Sequence, residues 1–221
     1  MAALIFGSIG TLLDASELQR EAFNRAFAEH GLDWSWRRDD YRDRLARAGG
    51  RDRIAEYAAE RGQMLDPREV HATKTRLFQA MLAEGGHAPR PGVAASIRAA
   101  REAGHKVALA STTSPENVGA VLAAIAGEVP RAAFDLVLDR TDVAAAKPAP
   151  DAFSTALERL GVAPGAALAV EDNPDGLRSA AAAGVRTIAF PNVNTAALEL
   201  EADEIVRGAL DPERVLALLA R

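Results

Sequence analysis

Phe6-Gly7-Ser8-Ile9-Gly10-Thr11-Leu12, directly behind the apolar run Ala2 to Ile5, is the stretch on which the fold turns. A short β-type run that breaks into a glycine-containing loop reads as the end of a strand. Outward from it, similar runs recur at 106–110, 134–138, 167–170 and 186–190. Helical patterns over 92–104, 115–126, 150–161 and 174–183 lie between them, several closing on a glycine such as Gly104, Gly161 or Gly184. Strands alternating with helices in this rhythm predict an α/β, Rossmann-like, doubly wound parallel sheet.

Between the first and second of these strands, residues 15 to 88 give helical signals alone: one helix from Ser16, one over 51–62 and one over 67–84. Pro91-Gly92 marks the return to the alternating pattern. The chain is therefore expected to form an α/β core from 1–14 and 89–221, with 15–88 inserted as an all-helical cap. In an open α/β sheet the carboxyl ends of the strands surround the ligand crevice. Gly7 to Thr11, Ser111-Thr112, Lys147 and Glu171-Asp172 all fall at or just past such ends, so residues far apart in sequence are expected to meet in one place.

Composition removes several classes of function. The 221 residues contain no cysteine, which excludes a disulfide framework, a thiolate nucleophile and a cysteine zinc site, and fits a reducing compartment. The four histidines, at 30, 71, 87 and 105, are too scattered for a histidine metal cluster. A net charge of -5 and a pI near 5.5 argue against a broad nucleic-acid surface. No apolar run approaches the roughly 20 residues of a membrane span, and the first twelve residues lack a signal peptide's charged start. The sequence reads as a soluble cytoplasmic protein with no nucleic-acid or membrane partner.

Four motifs taken in order resemble those of the haloacid-dehalogenase-like hydrolases. Phe6, Gly10, Thr11 and Leu12 frame the first motif; Val107 to Ala110 running into Ser111-Thr112-Thr113 is similar to the second. Lys147, in Lys147-Pro148-Ala149-Pro150-Asp151, matches the third, and Glu171-Asp172 ahead of Gly176 the acidic fourth. Within the family the chain is most similar to the sugar-phosphate phosphatase and mutase branch, and there to the CbbY-like sugar-bisphosphate phosphatases. Glu17-Leu18, Ala22-Phe23-Asn24, Gly49-Gly50-Arg51, Lys74-Thr75 and Thr112-Thr113-Ser114 carry that closer resemblance.

The resemblance implies a nucleophilic aspartate at position 7 and an acid/base aspartate at position 9, and this sequence has Gly7 and Ile9 instead. In the family the first carboxylate attacks phosphorus to give an aspartyl-phosphate, and the second protonates the leaving oxygen and later activates water. Neither Gly7 nor Ile9 can take its step. Of the nearby candidates for a relocated nucleophile, Ser8 is expected on the opposite side of the strand from 7 and 9 by period-two geometry, and Thr11 and Asp14 stand where the family already has a threonine and an acid.

The same resemblance implies a phosphate held by Ser111, the backbone amide of Thr112 and Lys147. Magnesium is implied at Asp172 and Glu171, held weakly or not at all without a carboxylate at 7. Glu17, Tyr41, Gly50, Arg51 and Lys74 would face the substrate from the cap, with Arg51 and Lys74 able to hold a second phosphate. Gln19 stands where relatives often carry histidine. Each of these also has a plainer reading: Ser111 as the cap of the helix near Pro115, Lys147 as a solvated loop lysine, Glu171-Asp172 as a turn and helix cap, the cap charges as exposed helix charges. Trp34 and Trp36 read as anchors for the cap helices.

The expectation is a protein of phosphatase descent, inactive or crippled by the aspartyl-phosphate route, a pseudoenzyme that binds a phosphorylated small molecule of the sugar-phosphate type. The alternatives are a magnesium-dependent sugar-phosphate hydrolase using a substituted mechanism and a structural or regulatory partner of another enzyme.

Overall fold

The computed structural model describes residues 1–46 and 49–220. β1 (Ala3–Phe6) is followed by four helices, α1 (Ser16–Glu29), α2 (Arg38–Asp43), α3 (Gly50–Glu60) and α4 (Pro67–Ala83). The chain then runs through α5 (Val93–Glu102), β2 (Lys106–Ala110), α6 (Pro115–Ala124), β3 (Leu136–Leu138), α7 (Asp151–Leu160) and β4 (Ala167–Glu171). It ends with α8 (Pro174–Ala182), β5 (Arg186–Ala189), β6 (Glu204–Ile205) and α9 (Pro212–Leu219). The strands form one parallel sheet in the order β3-β2-β1-β4-β5-β6, with helices on both sides. This is the doubly wound α/β fold expected from the sequence.

Side chains alternate across a strand, and both faces of this sheet are covered. Leu4, Phe6, Val107, Leu109, Leu168 and Val170 enter one core with Ile97 of α5, Val121 of α6 and Val215 of α9. On the other face the sheet offers mostly alanines, Ala3, Ala108, Ala110, Ala167 and Ala169, and against these short side chains pack Phe153 of α7 and Ala180 of α8. Burial on both faces is why these strands read as unbroken apolar runs.

The segment between β1 and α5 carries an aromatic core of its own, in which Phe23, Phe27, Trp34, Trp36 and Tyr41 are buried together. The Trp36 ring lies 4.7 Å from Phe27 and 4.9 Å from Phe23, centroid to centroid. Trp34 and Trp36 thus anchor helices. Asp66 caps α4 by accepting the Arg68 amide, and Pro67 supplies a first-turn residue with no amide to satisfy.

The return from this segment is fixed by Arg90 and Gly92. The buried Arg90 guanidinium donates to the carbonyls of Gly10 at 2.7 Å, Phe190 at 2.6 Å and Pro191 at 2.7 Å, and lies 3.5 Å from the Phe190 ring centroid. It ties the loop after β1 to the loop after β5. Gly92 has φ +84°, and a Cβ there would run into the Leu210 backbone, so only glycine fits. Arg90→Ala would leave buried carbonyls without donors and is expected to lower stability by about 3 kcal/mol or more. An unchanged urea midpoint would show that the guanidinium does not hold these loops.

The sheet also differs from expectation at its margins. α2, six residues with Tyr41 as its one buried side chain, is too short for a periodic signal. The two-residue β6 and the helix α9 lie outside the expected elements, although Asp211-Pro212 is a readable start for α9, with Asp211 accepting the Glu213 amide at 3.0 Å. β3 begins at Leu136 rather than 134, because a turn of 3-10 helix at Arg131–Ala133 delivers the chain late to the sheet. Among the described residues no helix is long and apolar enough to cross a membrane.

Candidate functional site

Register decides what stands beside position 7. Phe6 pairs with Val170 of β4 and with Leu109 of β2, so the next residue along emerges between Glu171 and Ala110. The Gly7 amide donates to the Val170 carbonyl at 3.0 Å. A Cβ at position 7 would stand 2.5 Å from Oε2 of Glu171. Gly176 at the start of α8 faces the same carboxylate, and a side chain there would also collide with it. Two glycines therefore make the space in which the Glu171 carboxylate lies, and that carboxylate fills the place where a side chain on residue 7 would begin.

Lys147 completes this arrangement. Its Nζ donates to the Ala110 carbonyl at 2.8 Å and forms an ion pair with Glu171, with the lysine side chain 9% and the glutamate 2% exposed. It is not a solvated loop lysine. Ser111, next after Ala110, has its Oγ 2.8 Å from Oγ of Ser8 and accepts the Thr113 amide at 3.2 Å. Ser114, not Ser111, caps α6 by accepting the Asn117 amide, and Asn173 rather than the acidic pair caps α8. The plainer cap readings of Ser111 and of Glu171-Asp172 are thereby answered.

Ser8 corrects the expectation that it points away. β1 stops at Phe6, so period-two alternation does not extend to residue 8, and the turned backbone brings its hydroxyl against Ser111. Asp14 accepts from both the amide and hydroxyl of Ser16, at 3.2 and 2.6 Å, and serves the start of α1.

Asp172 is buried one residue beyond Glu171. It accepts hydrogen bonds from Thr11 Oγ1 at 2.8 Å, Asn192 Nδ2 at 2.9 Å and Asn173 Nδ2 at 3.2 Å. Burial, reinforced by the neighbouring Glu171 charge, pushes its carboxyl up to about 7. Its folded value lies above its ordinary value, so its contribution to stability is full at acid pH and is lost as pH rises from about 4 through about 7. Asp172→Asn is accordingly expected to gain stability relative to the natural chain at pH 8 and to gain little at pH 4. Urea unfolding at both pH values checks this, and an equal effect at each would overturn it.

Among the described residues no three of histidine, aspartate and glutamate stand together to hold a metal. A divalent cation would have two carboxylates, Glu171 and Asp172, the first ion-paired with Lys147 and the second engaged by three donors. Magnesium usually takes one or two carboxylates and fills its shell with waters and phosphate oxygens. Both carboxylates are thus already engaged by protein donors before any cation arrives.

Above the sheet ends lies a cavity of about 240 Å³, lined from the loops by Ile9, Gly10 and Asp172 and from the helices by Gln19, Tyr41, Gly50, Arg53, His71 and Lys74. Burial pushes His71 down to about 4 and lowers Arg53, and it raises Tyr41. Lys74 is 3% exposed and donates to Gln19 Oε1. Arg51 is elsewhere: its side chain is 56% exposed, pairs with Asp52 at 3.1 Å, and lines an outer groove with Thr112 and Arg140. Arg51 and Lys74 thus do not share one cavity wall. Glu17 is occupied in a latch, accepting from Arg38 at 3.2 Å and from Asn194 at 2.8 Å.

Sequence reasoning missed Arg53, His71 and the Pro191-Asn192-Val193-Asn194 loop that steers Asp172 and Glu17. The loop follows β5 at the same edge as the four motifs, and its turn-forming residues were the available signal.

Residues 1–184 match the family described as haloacid dehalogenase-like hydrolase. CbbY of Cereibacter sphaeroides is 43% identical over 198 residues, covering 87% of this chain and 85% of its own. The plasmid-borne CbbY of Cupriavidus necator is 42% identical over 208 residues, covering 89% of this chain and 80% of its own. Crystal structures of CbbY from Rhodobacter sphaeroides, one with phosphate and one of a variant with xylulose-(1,5)bisphosphate, superpose with a TM-score of 0.84 at 41% identity, covering 93% of this chain and 94% of theirs.

Proposed function

The chain belongs to the haloacid dehalogenase-like hydrolase family, among sugar-phosphate phosphatase relatives of the CbbY type, and from that premise we propose that its crevice binds a phosphorylated sugar without forming a phospho-residue at position 7. The phosphate takes Ser111, the Thr112 amide and Lys147, and the helices of 15–88 act as a cap that closes the sugar against the core of 1–14 and 89–221. The observation that carries this reading is the Glu171 carboxylate lying against Gly7 in an ion pair with Lys147. An incoming phosphate competes with Glu171 for the amine, and no side chain stands on residue 7 to attack it. Inorganic phosphate and ribose 5-phosphate are expected to raise the melting temperature. Lys147→Met is expected to weaken either ligand at least about tenfold, some 1.4 kcal/mol. Equal shifts in the two proteins would remove the phosphate from this site.

A second reading is an active, magnesium-dependent sugar-phosphate hydrolase working by a substituted route. The kinship with CbbY, whose structure holds xylulose-(1,5)bisphosphate, favours it over a binding protein. In this chain the groups that such a route has at hand are Glu171, at the vacated position, and Ser8, beside Ser111. Turnover that survives with magnesium and disappears in Glu171→Gln or Ser8→Ala would establish it.

A further inference from the structure

The sequence has three lysines, Lys74, Lys106 and Lys147. Lys106 pairs with Asp135 at 3.2 Å and Lys147 with Glu171. Lys74 has no carboxylate partner among the described residues. Its Nζ meets a neutral amide, Gln19 Oε1, and two ring faces, Phe23 at 4.8 Å and Phe78 at 5.0 Å from their centroids. Lys74 lines the cavity above the sheet ends, and Arg53 is a second cation in the same lining. A lysine meant to hold a phosphate as a fixed point charge is served by solvation or a counter-ion, and neither is present. Burial, with the Arg53 charge adding to it, pushes this amine down to about 7, so near neutral pH a large share of it carries a free lone pair. A desolvated lysine of this kind is a nucleophile for carbonyl carbon.

We propose that Lys74 captures the open-chain carbonyl of an aldehyde or ketone sugar phosphate as an imine. This rests on the reading of the crevice as a sugar-phosphate site. The Nζ lone pair forms a bond to the carbonyl carbon as the C=O π bond breaks, and one amine hydrogen passes to the oxygen to give a carbinolamine. The C–O bond then breaks, the second amine hydrogen leaves with the oxygen, and the products are a C=N bond and one water. No oxidant, reductant or metal enters. The Gln19 carbonyl orients the amine, and the Phe23 and Phe78 rings keep bulk water from its back.

The test uses the whole chain with D-glyceraldehyde 3-phosphate as probe and borohydride to reduce any imine, followed by peptide mass analysis. Glycerol 3-phosphate, which lacks the carbonyl, is followed in parallel by thermal shift. The expected result is a borohydride-dependent adduct, the mass of the triose phosphate less one oxygen, at Lys74. It should exceed the label on Lys106 at least about tenfold, since an ordinary lysine is almost wholly protonated at pH 7. The adduct should vanish from that peptide in Lys74→Met and Lys74→Arg.

Label no higher at Lys74 than at Lys106, with glycerol 3-phosphate still stabilising the protein, overturns the imine and leaves the phosphate site standing. Adduct at Lys74 with no stabilisation by glycerol 3-phosphate supports the imine and overturns the phosphate site. Absence of both overturns both. If Lys74→Met fails to fold, the distribution of label over the natural chain's lysines decides alone.

Discussion

Sugar phosphates supplied with magnesium are expected to leave this protein essentially unhydrolysed, about six orders of magnitude below an ordinary member of its family. That factor is roughly what loss of a nucleophile costs in a serine protease, where binding and charge stabilisation account for what remains. Here the loss is twofold, since Gly7 offers no atom to attack phosphorus and Ile9 no proton for the leaving oxygen. The fold around them is no obstacle. Ser111, Glu171 and Asp172 stand at adjoining strand ends, and Lys147 reaches in among them to the Ala110 carbonyl and the Glu171 carboxylate. The measurement is a phosphate-release assay sensitive enough to follow a rate far below the usual range of about 1 to 1,000 per second. Magnesium-dependent turnover within about tenfold of that range would overturn the binding-protein reading in favour of the hydrolase. Glu171→Gln, Ser8→Ala and Asp14→Asn would then identify the group responsible.

What could be read from the sequence follows from where its physical signals are local. Strands buried on both faces announce themselves as apolar runs, and all the motifs but Lys147 ride on the end of such a run; Lys147 lies well past the end of β3, beyond a turn of 3-10 helix at Arg140–Asp142. The convergence of Ser111 and Glu171 on the loop after Phe6 therefore follows from a parallel sheet once the strands are placed. Period-two alternation gives the wrong side for Ser8 because the last paired residue of β1 is Phe6. The partners of Glu171 and Asp172 lie in glycines and asparagines whose roles depend on tertiary approach: Gly176 and Gly7 matter for the side chains they lack, and Asn192 for a hydrogen bond across 20 residues of chain. Lys74 and Arg51 looked alike as cap cations, yet one is enclosed by aromatic rings and the other is exposed. Helix periodicity could not separate them, because their fates are set by whether the core packs over them.

Replacing Gly7 and Ile9 by aspartate together is expected to create a magnesium site whose occupancy appears as a large gain in thermal stability. The new carboxylate at 7 cannot coexist with Glu171 as it now lies, since a Cβ there would be 2.5 Å from Oε2. The obstacle is the far end of a side chain, so Glu171 can swing aside and release Lys147. Ile9 shares a cavity wall with Asp172, so a carboxylate at 9 adds a further acid at the same mouth. Without metal, acids at 7, 9, 171 and 172 repel one another and are partly desolvated, and the double variant is expected to be less stable than the natural chain. A cation that binds only the folded form reverses this. At a concentration about a hundredfold above its dissociation constant it contributes about 2.7 kcal/mol. For a chain of this size that is roughly 5 to 10 °C in melting temperature. The natural chain, with two carboxylates that are already engaged, is expected to shift far less. Lost packing at Ile9 could lower stability in the double variant without any bearing on metal, so the difference between the variant with and without magnesium is the quantity that decides. If millimolar magnesium leaves the variant's melting temperature where it was, positions 7 and 9 do not face Asp172, and the assignment of the loop after β1 to the family's first motif fails with it.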